Sequence, residues 1–409
     1  MYHPMKWIVS LSIIAWFALP AVATPQDLDI KVQLATQQHS ATVSASVTAD
    51  ILALTSGGWK SLGNARPGQT LSFQSVARSI RISNLDGQPR FSEVKITLPH
   101  EKGQVTFNQK SYRGSLHLVS TGNGFDVRNT LPLEQYLYSV VPSEMPASWP
   151  LDALKSQAVA ARTYALVDLK RSHRRGYDVA ATTASQVYQG VKAEHPRSTQ
   201  AVIATRGQVV TFKNEPIDAY FHSTSGGKTE FGGDLWANKP YLKPVKDVDQ
   251  ASPKYIWHTQ FSQQQLQQLL QSKLQVNVGE LKSLEPATRT RGGRVKTLRI
   301  QGTRGVKTVD GAKLRSALHL NSTFFNVGGI NAAGQLIVPD QEQIVEIPET
   351  FEFAGRGWGH GMGMSQWGAR QLALDGKGYR EILKHYYQGV RVKKIEPTPN
   401  ARRYKIASR

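Results

Sequence analysis

The sequence predicts an α+β protein: a β-rich N-terminal module, then a mixed α/β domain that carries an inserted α+β subdomain. Three observations predict it. Short apolar or alternating runs, separated by Gly, Asn, Pro and Asp, fill residues 27–125. An Ala-rich apolar segment of helical length follows, reaching Leu166. A Gln/Leu helical pattern over Gln263–Leu274 then opens a second stretch of strands and a short helix, before Gly-rich, aromatic sequence returns at 351–390.

The elements follow in chain order. Lys6 precedes an apolar run from Trp7 to Leu19 and then Ala21-Val22-Ala23. This is a basic n-region, a short h-region and an A-x-A cleavage site, so residues 1–23 read as a signal peptide of an exported protein. An uncleaved anchor is the alternative; the run is short for a transmembrane helix, and no later segment has the length to span a bilayer. Residues 24–125 hold the strand-like runs Ile30–Leu34, Thr42–Val47, Ile80–Ile82 and Val94–Leu98, with turn signals at Gly57-Gly58, 84–87 and 122–124. Residues 126–392 form the second domain, with the insert at about 251–345. The basic run from Lys393 to Arg403 reads as part of a solvated tail, 393–409.

Composition excludes some chemistry. The chain has 409 residues and no cysteine, hence no disulfide, no thiol nucleophile and no Cys-ligated metal. Its length supports a core without such staples. Lys and Arg exceed Asp and Glu by 50 to 30, a net charge of +20. Anionic lipid, nucleic acid or an anionic wall polymer would suit that charge. The export signal and the absence of any nucleic-acid recognition motif argue against nucleic acid. Peptidoglycan glycan, with a lactyl carboxylate on every second sugar, fits better.

The densest local signal is at 134–166. A strand-like run, Tyr138–Val141, ends in a Pro-punctuated turn that presents Glu144. A helix follows, with Ser148 as N-cap and Pro150 in its first turn, where proline is tolerated. Lys155, Val159 and Arg162, spaced by four and three, share one face of it. One acid beside two cations can hold an anionic substrate next to a proton donor. Equally, Glu144 can be a solvated turn residue and the two cations ordinary exposed positions. The helix is apolar on most sides, however, and a buried Arg162 without a partner would cost several kcal/mol. These residues alone leave both readings open.

A second signal is the loop at 353–370, where five of the nine residues from 355 to 363 are glycine. Such density means special backbone angles or close approach of backbone to a ligand. Trp358 and His360 are its functional side chains, and the loop runs straight into a helix beginning at Gln366. The phosphate-loop pattern is absent; Gly with aromatics suits sugar stacking better. His222, His360 and Glu230 could form a zinc site only if the fold joined them. Ser223 or Ser225 with a histidine lacks the Gly-x-Ser-x-Gly elbow of a serine hydrolase. No cofactor and no metal is expected.

Val140-Val-Pro-Ser-Glu144-Met-Pro, Gln157-Ala-Val-Ala-Ala-Arg162-Thr-Tyr, His222-Ser-Thr-Ser-Gly-Gly, Gly359-His360-Gly-Met-Gly-Met-Ser-Gln-Trp-Gly-Ala and Ile382-Leu-Lys-His-Tyr386-Tyr387 resemble, in order, the stage II sporulation protein D (SpoIID/LytB) family. The resemblance covers roughly 100–392. It implies a SpoIID-like catalytic domain acting on peptidoglycan glycan strands as a lytic transglycosylase; some members are described instead as enhancers of a wall amidase. It places the catalytic acid on Glu144. It places substrate contacts on Lys155, Arg162, His222 and His360; Ser223, Ser225 and Gln366 from the same runs, Trp358 from the Gly-rich loop and Tyr188 from the run Asp178–Gly190 are expected to join them. The metal site that some members build with Cys and His is not carried over, because this chain has no Cys. Nothing in the residues shows a sporulation role. The implied reaction needs one carboxyl group, which protonates the glycosidic oxygen and then takes a proton from the sugar's 6-hydroxyl. Ordinary hydrolysis needs a second carboxylate. Glu134 is the weak candidate for one, at the far end of the same run.

Overall fold

Phe125–Pro132 alternates buried and half-buried positions without a break. A strand of that period has one face to bury, which also fixes its register. The computed structural model describes residues 28–99, 103–172, 175–331, 336–337, 347–397 and 404–406; the expected signal segment lies outside them. In it the N-terminal strands form a seven-stranded and a six-stranded sheet. Val32, Val94 and Leu118 of the first and Val43, Phe73 and Val105 of the second belong to one buried apolar cluster.

The cluster does not stop at residue 125. The seven-stranded sheet takes in Phe125–Pro132 and, in parallel with Asp29–Gln38, the short strand Val179–Ala180. Leu131, Leu133, Tyr136 and the following helices continue the same core. Tyr188 stands at this junction. Its ring contacts Tyr112 and Tyr136 at 5.8 and 5.1 Å, and its hydroxyl donates to Asn129 Oδ1 at 2.8 Å. It is buried in the core and is not the glycan contact expected of it.

The helices are α1 (Leu133–Glu144), α2 (Leu151–Arg171), α3 (Pro196–Ala204), α4 (Gln263–Leu274), α5 (Gly311–Ala317), α6 (Gln366–Leu374) and α7 (Tyr379–Tyr386). The run Tyr138–Val141, expected as a strand, lies inside α1. The buried residues Leu133, Tyr136, Leu137, Val140 and Val141 have the 3- and 4-residue spacing of a helix face. That period overrides the β-preference of the valine pair. Pro142, in the last turn, supplies no N–H to the helix, which ends two residues later. Ser148 does not cap α2. It is exposed in the turn closed by Trp149 N–H to Pro146 O (3.0 Å), and Pro150 holds the cap position.

α2 is buried almost all round, and its alanines let α1, α3, α6 and α7 pack closely. Arg162, at its centre, is fully buried. It grips Glu134 of α1 with both ends of its fork, Nε to Oε1 at 2.8 Å and Nη2 to Oε2 at 2.7 Å. Its remaining donors reach Gln208 O (3.0 Å) and Val202 O (3.3 Å), and Gly207 N–H donates to Glu134 (3.1 Å). Arg162 is therefore a structural pair for a buried acid, not a substrate contact, and Glu134 is spent on it.

The insert is a subdomain with its own apolar core, including Trp257, Leu270, Leu298 and Phe353. Its first and last strands, Ile256–Ser262 and Thr350–Arg356, pair antiparallel and close it, so it ends past the expected limit at 345. The expected Gln/Leu helix is α4, entered through a reciprocal Ser262–Gln265 capping box. The basic run at the C-terminus is not a free tail where it is described: Arg391–Pro397 is a strand paired with Gln208–Phe212. Among the described residues no helix is long and apolar enough to cross a membrane.

Removing Arg162 strands Glu134 in the core. Arg162→Met should destabilise the fold by about 3–5 kcal/mol, and Arg162→Lys by less. Thermal unfolding checks this together with glycan affinity per folded molecule. A normal melting temperature with weakened affinity would return Arg162 to substrate binding.

Candidate active site

The site forms where the end of α1 meets two motif segments and the insert. Glu144 is the last residue of α1. Its Oε1 accepts Val187 N–H at 3.0 Å, and its Oε2 accepts the Gln366 amide at 3.3 Å. Burial raises its pKa above the ordinary carboxyl value, while those two donors act against the rise. The sequence places Glu144 at the mouth of a cationic helix, which would favour the carboxylate. The structure differs: Glu144 sits at the negative end of α1, Arg162 is neutralised by Glu134, and Lys155 lies elsewhere on α2. Lys155 Nζ is 3.6 Å from Asp152 and 5.8 Å from the Tyr379 ring centre, outside the cleft.

Glu144 lines an open cleft of about 750 Å³, within the ordinary range for ligand sites. His222, Ser223, Trp358, His360 and Gln366 line it too, as the sequence motifs lead one to expect. Lys155, Arg162, Tyr188 and Ser225 do not. Ser225 is fully buried, and its hydroxyl is held by Asp247 (2.5 Å) and Asp249 (3.2 Å). These two carboxylates also accept from Thr224 and Tyr386 hydroxyls and from the Gly226 and Gly227 amides. This network shapes the His222–Gly227 turn from below.

The two motifs are joined by backbone. Phe221–His222 pairs in parallel with Met364–Ser365, and Thr224 and Trp358 exchange both N–H···O bonds (3.2 and 2.8 Å). The glycines permit this approach. A Cβ on Gly359, whose φ is +117°, would come within 2.7 Å of His222 Cβ, and one on Gly361 within 2.5 Å of the Arg294 guanidinium. His222 Nδ1 donates to Met362 O at 3.0 Å, whereas His360 Nδ1 accepts Met362 N–H at 3.0 Å. The rings are 5.3 Å apart. Burial, helped by the nearby charges of Arg294 and Arg315, holds the His222 pKa far below its usual value and brings that of His360 to about 3. Both rings are neutral at any physiological pH.

Glu230, weighed above as a third metal ligand, is committed to the insert. It accepts the Thr290 hydroxyl (2.6 Å), Gly292 N–H (3.1 Å) and Phe231 N–H (2.8 Å). Among the described residues no three His, Asp or Glu side chains are grouped to share an ion.

Tyr164, Ser185, Tyr220, Trp236 and Arg315 also line the cleft and are not among the expected site residues, although Tyr164 closes one of the motifs. Tyr164 follows Arg162 by two positions, on another face of α2. Trp236 and Trp358 are 58% and 48% exposed, two indoles on one cleft, with Trp236 set edge to face against the rings of His360 (5.5 Å) and Tyr220 (6.3 Å). An exposed Trp is a readable signal, but Trp236 sits in no motif. Arg315 comes from α5 of the insert and has no local signal at all. One carboxyl of raised pKa, neutral polar groups, one guanidinium and two exposed indoles suit proton donation to a ring substrate that stacks.

The chain matches the family model described as Stage II sporulation protein over residues 121–212, and a Domain of unknown function (DUF8618) over 235–363. It is 36% identical over 321 residues to "Stage II sporulation protein D" of Bacillus subtilis (strain 168), covering 73% of this chain and 84% of that one. Against the protein of the same name from Bacillus amyloliquefaciens it is 36% identical over 308 residues, covering 70% and 78%. It is also 30% identical over 287 residues to the "Amidase enhancer" of Bacillus subtilis (strain 168), covering 62% and 39%. With identity at that level sustained over most of both chains in the first two cases, this chain belongs to the stage II sporulation protein D family.

Proposed function

We propose that the protein is an exported lytic transglycosylase that cleaves peptidoglycan glycan strands during wall remodelling, with Glu144 as its single acid and base. The observation that carries this reading is the carboxyl count: Glu144 is the one carboxyl among the described residues lining the cleft, and burial raises its pKa. A protonated Glu144 donates to the bridging oxygen between muramic acid and glucosamine. Positive charge develops at C1. The new carboxylate, steadied by Val187 N–H and the Gln366 amide, takes the proton of the 6-hydroxyl as that oxygen closes on C1 to give a 1,6-anhydro sugar. Among the described residues lining the cleft there is no second carboxylate to activate a water for ordinary hydrolysis. Trp236 and Trp358 would hold the sugar rings by stacking, and His222, His360 and Ser223 their hydroxyls.

A second reading is favoured by the likeness to the relative named "Amidase enhancer": a wall-binding protein that raises the activity of an amidase without cutting glycan itself. Combining the protein with an amidase separates the two. Stimulation that persists in Glu144→Gln, with no glycan cleavage by the unmodified protein, would favour the second.

Two outcomes test the first reading. Glu144→Gln keeps the shape and removes the proton, so cleavage should fall by about a hundredfold or more; near-normal cleavage would remove Glu144 from catalysis. The raised pKa also has a sign in stability. The folded state binds this proton more tightly than the unfolded chain, so stability falls as pH rises from the unfolded pKa through the folded one. Above that window the ionised carboxylate is a net cost. Glu144→Gln should therefore melt higher than the unmodified protein at neutral pH, and the gain should vanish as pH drops below the ordinary carboxyl value. Cleavage should decline as pH rises through the same window, because the acid form is the working one. A melting difference that grows on acidification would contradict the assignment.

A further inference from the structure

The cleft contains one cation, and no carboxylate of the described chain answers it. Arg315 lies in the last turn of α5 and lines the cleft beside His222, His360 and Trp358. Its Nε donates to Leu320 O and Asn321 O at 3.2 and 3.1 Å, which fixes the plane of the guanidinium. No ion pair to it occurs among the described residues, and Glu144, the cleft's one acid, pairs with Gln366 and Val187 instead. Its setting is otherwise positive or neutral: Arg294 stands close enough to feel its charge, and both histidines are uncharged. Burial without a counter-ion lowers its pKa. A half-buried guanidinium held by Nε alone has terminal N–H groups to spend, and their planar fork matches a carboxylate.

Resting on the reading of the cleft as a glycan site, we infer that Arg315 is a substrate-recognition residue that takes a carboxylate borne by the glycan, and that supplying this charge is a role of the inserted subdomain. The sequence assigns the anion contact to Lys155 and Arg162. The structure withdraws both from the cleft and leaves Arg315 in their place. The insert is positioned for this by Arg294, fully buried, whose Nη2 donates to Ser225 O at 2.7 Å and so ties the insert to the His222 segment. Carboxylate on a glycan strand has two sources, the lactyl group of the sugar itself or the end groups of an attached peptide. The same contact chemistry serves either.

The test is binding in the Glu144→Gln background, so that nothing is cleaved. Three ligands are compared: chitotetraose, which has no carboxylate; a tetrasaccharide with free lactyl carboxylates; and the same tetrasaccharide with its lactyl groups amidated by peptides that carry their own carboxylates. With Arg315 present, at least one carboxylate-bearing ligand should bind about tenfold or more tighter than chitotetraose, the scale of one charge-assisted contact. Arg315→Gln should erase that margin and leave chitotetraose binding within about twofold. Which of the two anionic ligands loses its margin identifies the source. Equal losses on all three ligands, or no loss on any, would overturn the inference. If Arg315→Gln does not fold, salt decides on the Arg315 protein: ionic strength must weaken the anionic ligand more than chitotetraose, and equal weakening overturns the inference. Failure of all three ligands to bind would sink the glycan reading itself. Binding of all three alike, with or without Arg315, sinks only the recognition role.

Discussion

The bidentate pair between Arg162 and Glu134 is the interaction on which the helical part of the fold depends. It joins the buried centre of α2 to the first turn of α1 and, through backbone carbonyls, to α3 and the strand Gln208–Phe212. A charge at the centre of a domain is tolerable only when its donors are spent, and four of them are spent here. α1 has 12 residues and so is about 18 Å long. It begins at one carboxylate and ends at another. The first is pinned by a cation and cannot react. The second, Glu144, faces a cleft with no cation bonded to it. One helix thus anchors the fold at one end and presents the acid at the other.

The electrostatic division of the cleft follows from this arrangement. The cations expected beside the acid are on other faces of α2 or inside the core, so only the two neutral donors, and no charge, oppose the rise in the Glu144 pKa. Two cations of the insert lie near the two histidines, Arg315 lining the cleft and Arg294 fully buried, and burial with their charge favours the neutral rings. The cleft's carboxyl and its positive charge are carried by different parts of the chain. The motif core can therefore keep a protonated carboxyl while the insert offers a cation a short distance away, a separation that a single helix carrying both would not allow.

Much of this was legible before any coordinates. Period-two alternation and turn residues marked the N-terminal sheets, because one face of each had to be buried. The Gly-rich loop and the His222 segment were linked to Glu144 by the family resemblance, and they line one cleft with it. The failures have physical reasons. The run Tyr138–Val141 looked like a strand because β-branched valines are local, whereas the helix period that governs it extends back to Leu133. Arg162 and Lys155 shared a face by spacing, but spacing does not say what the face meets; Glu134, 28 residues earlier, answers Arg162. Tyr188 and Ser225 sat in motif-like runs yet serve the core, through Asn129 and the Asp247–Asp249 pair. Arg315 and Trp236 reach the cleft only through tertiary packing, and no local pattern announces that.

The most direct test of the account is end-group analysis of the product. Purified glycan strands are incubated with the protein alone, with no amidase present, and the new ends are examined by mass spectrometry. The account predicts 1,6-anhydro-muramic ends, lighter by one water than hydrolysed ends, formed by the unmodified protein and not by Glu144→Gln. New reducing ends in place of anhydro ends would mean that a water is activated in the cleft, and would contradict the single-carboxyl mechanism.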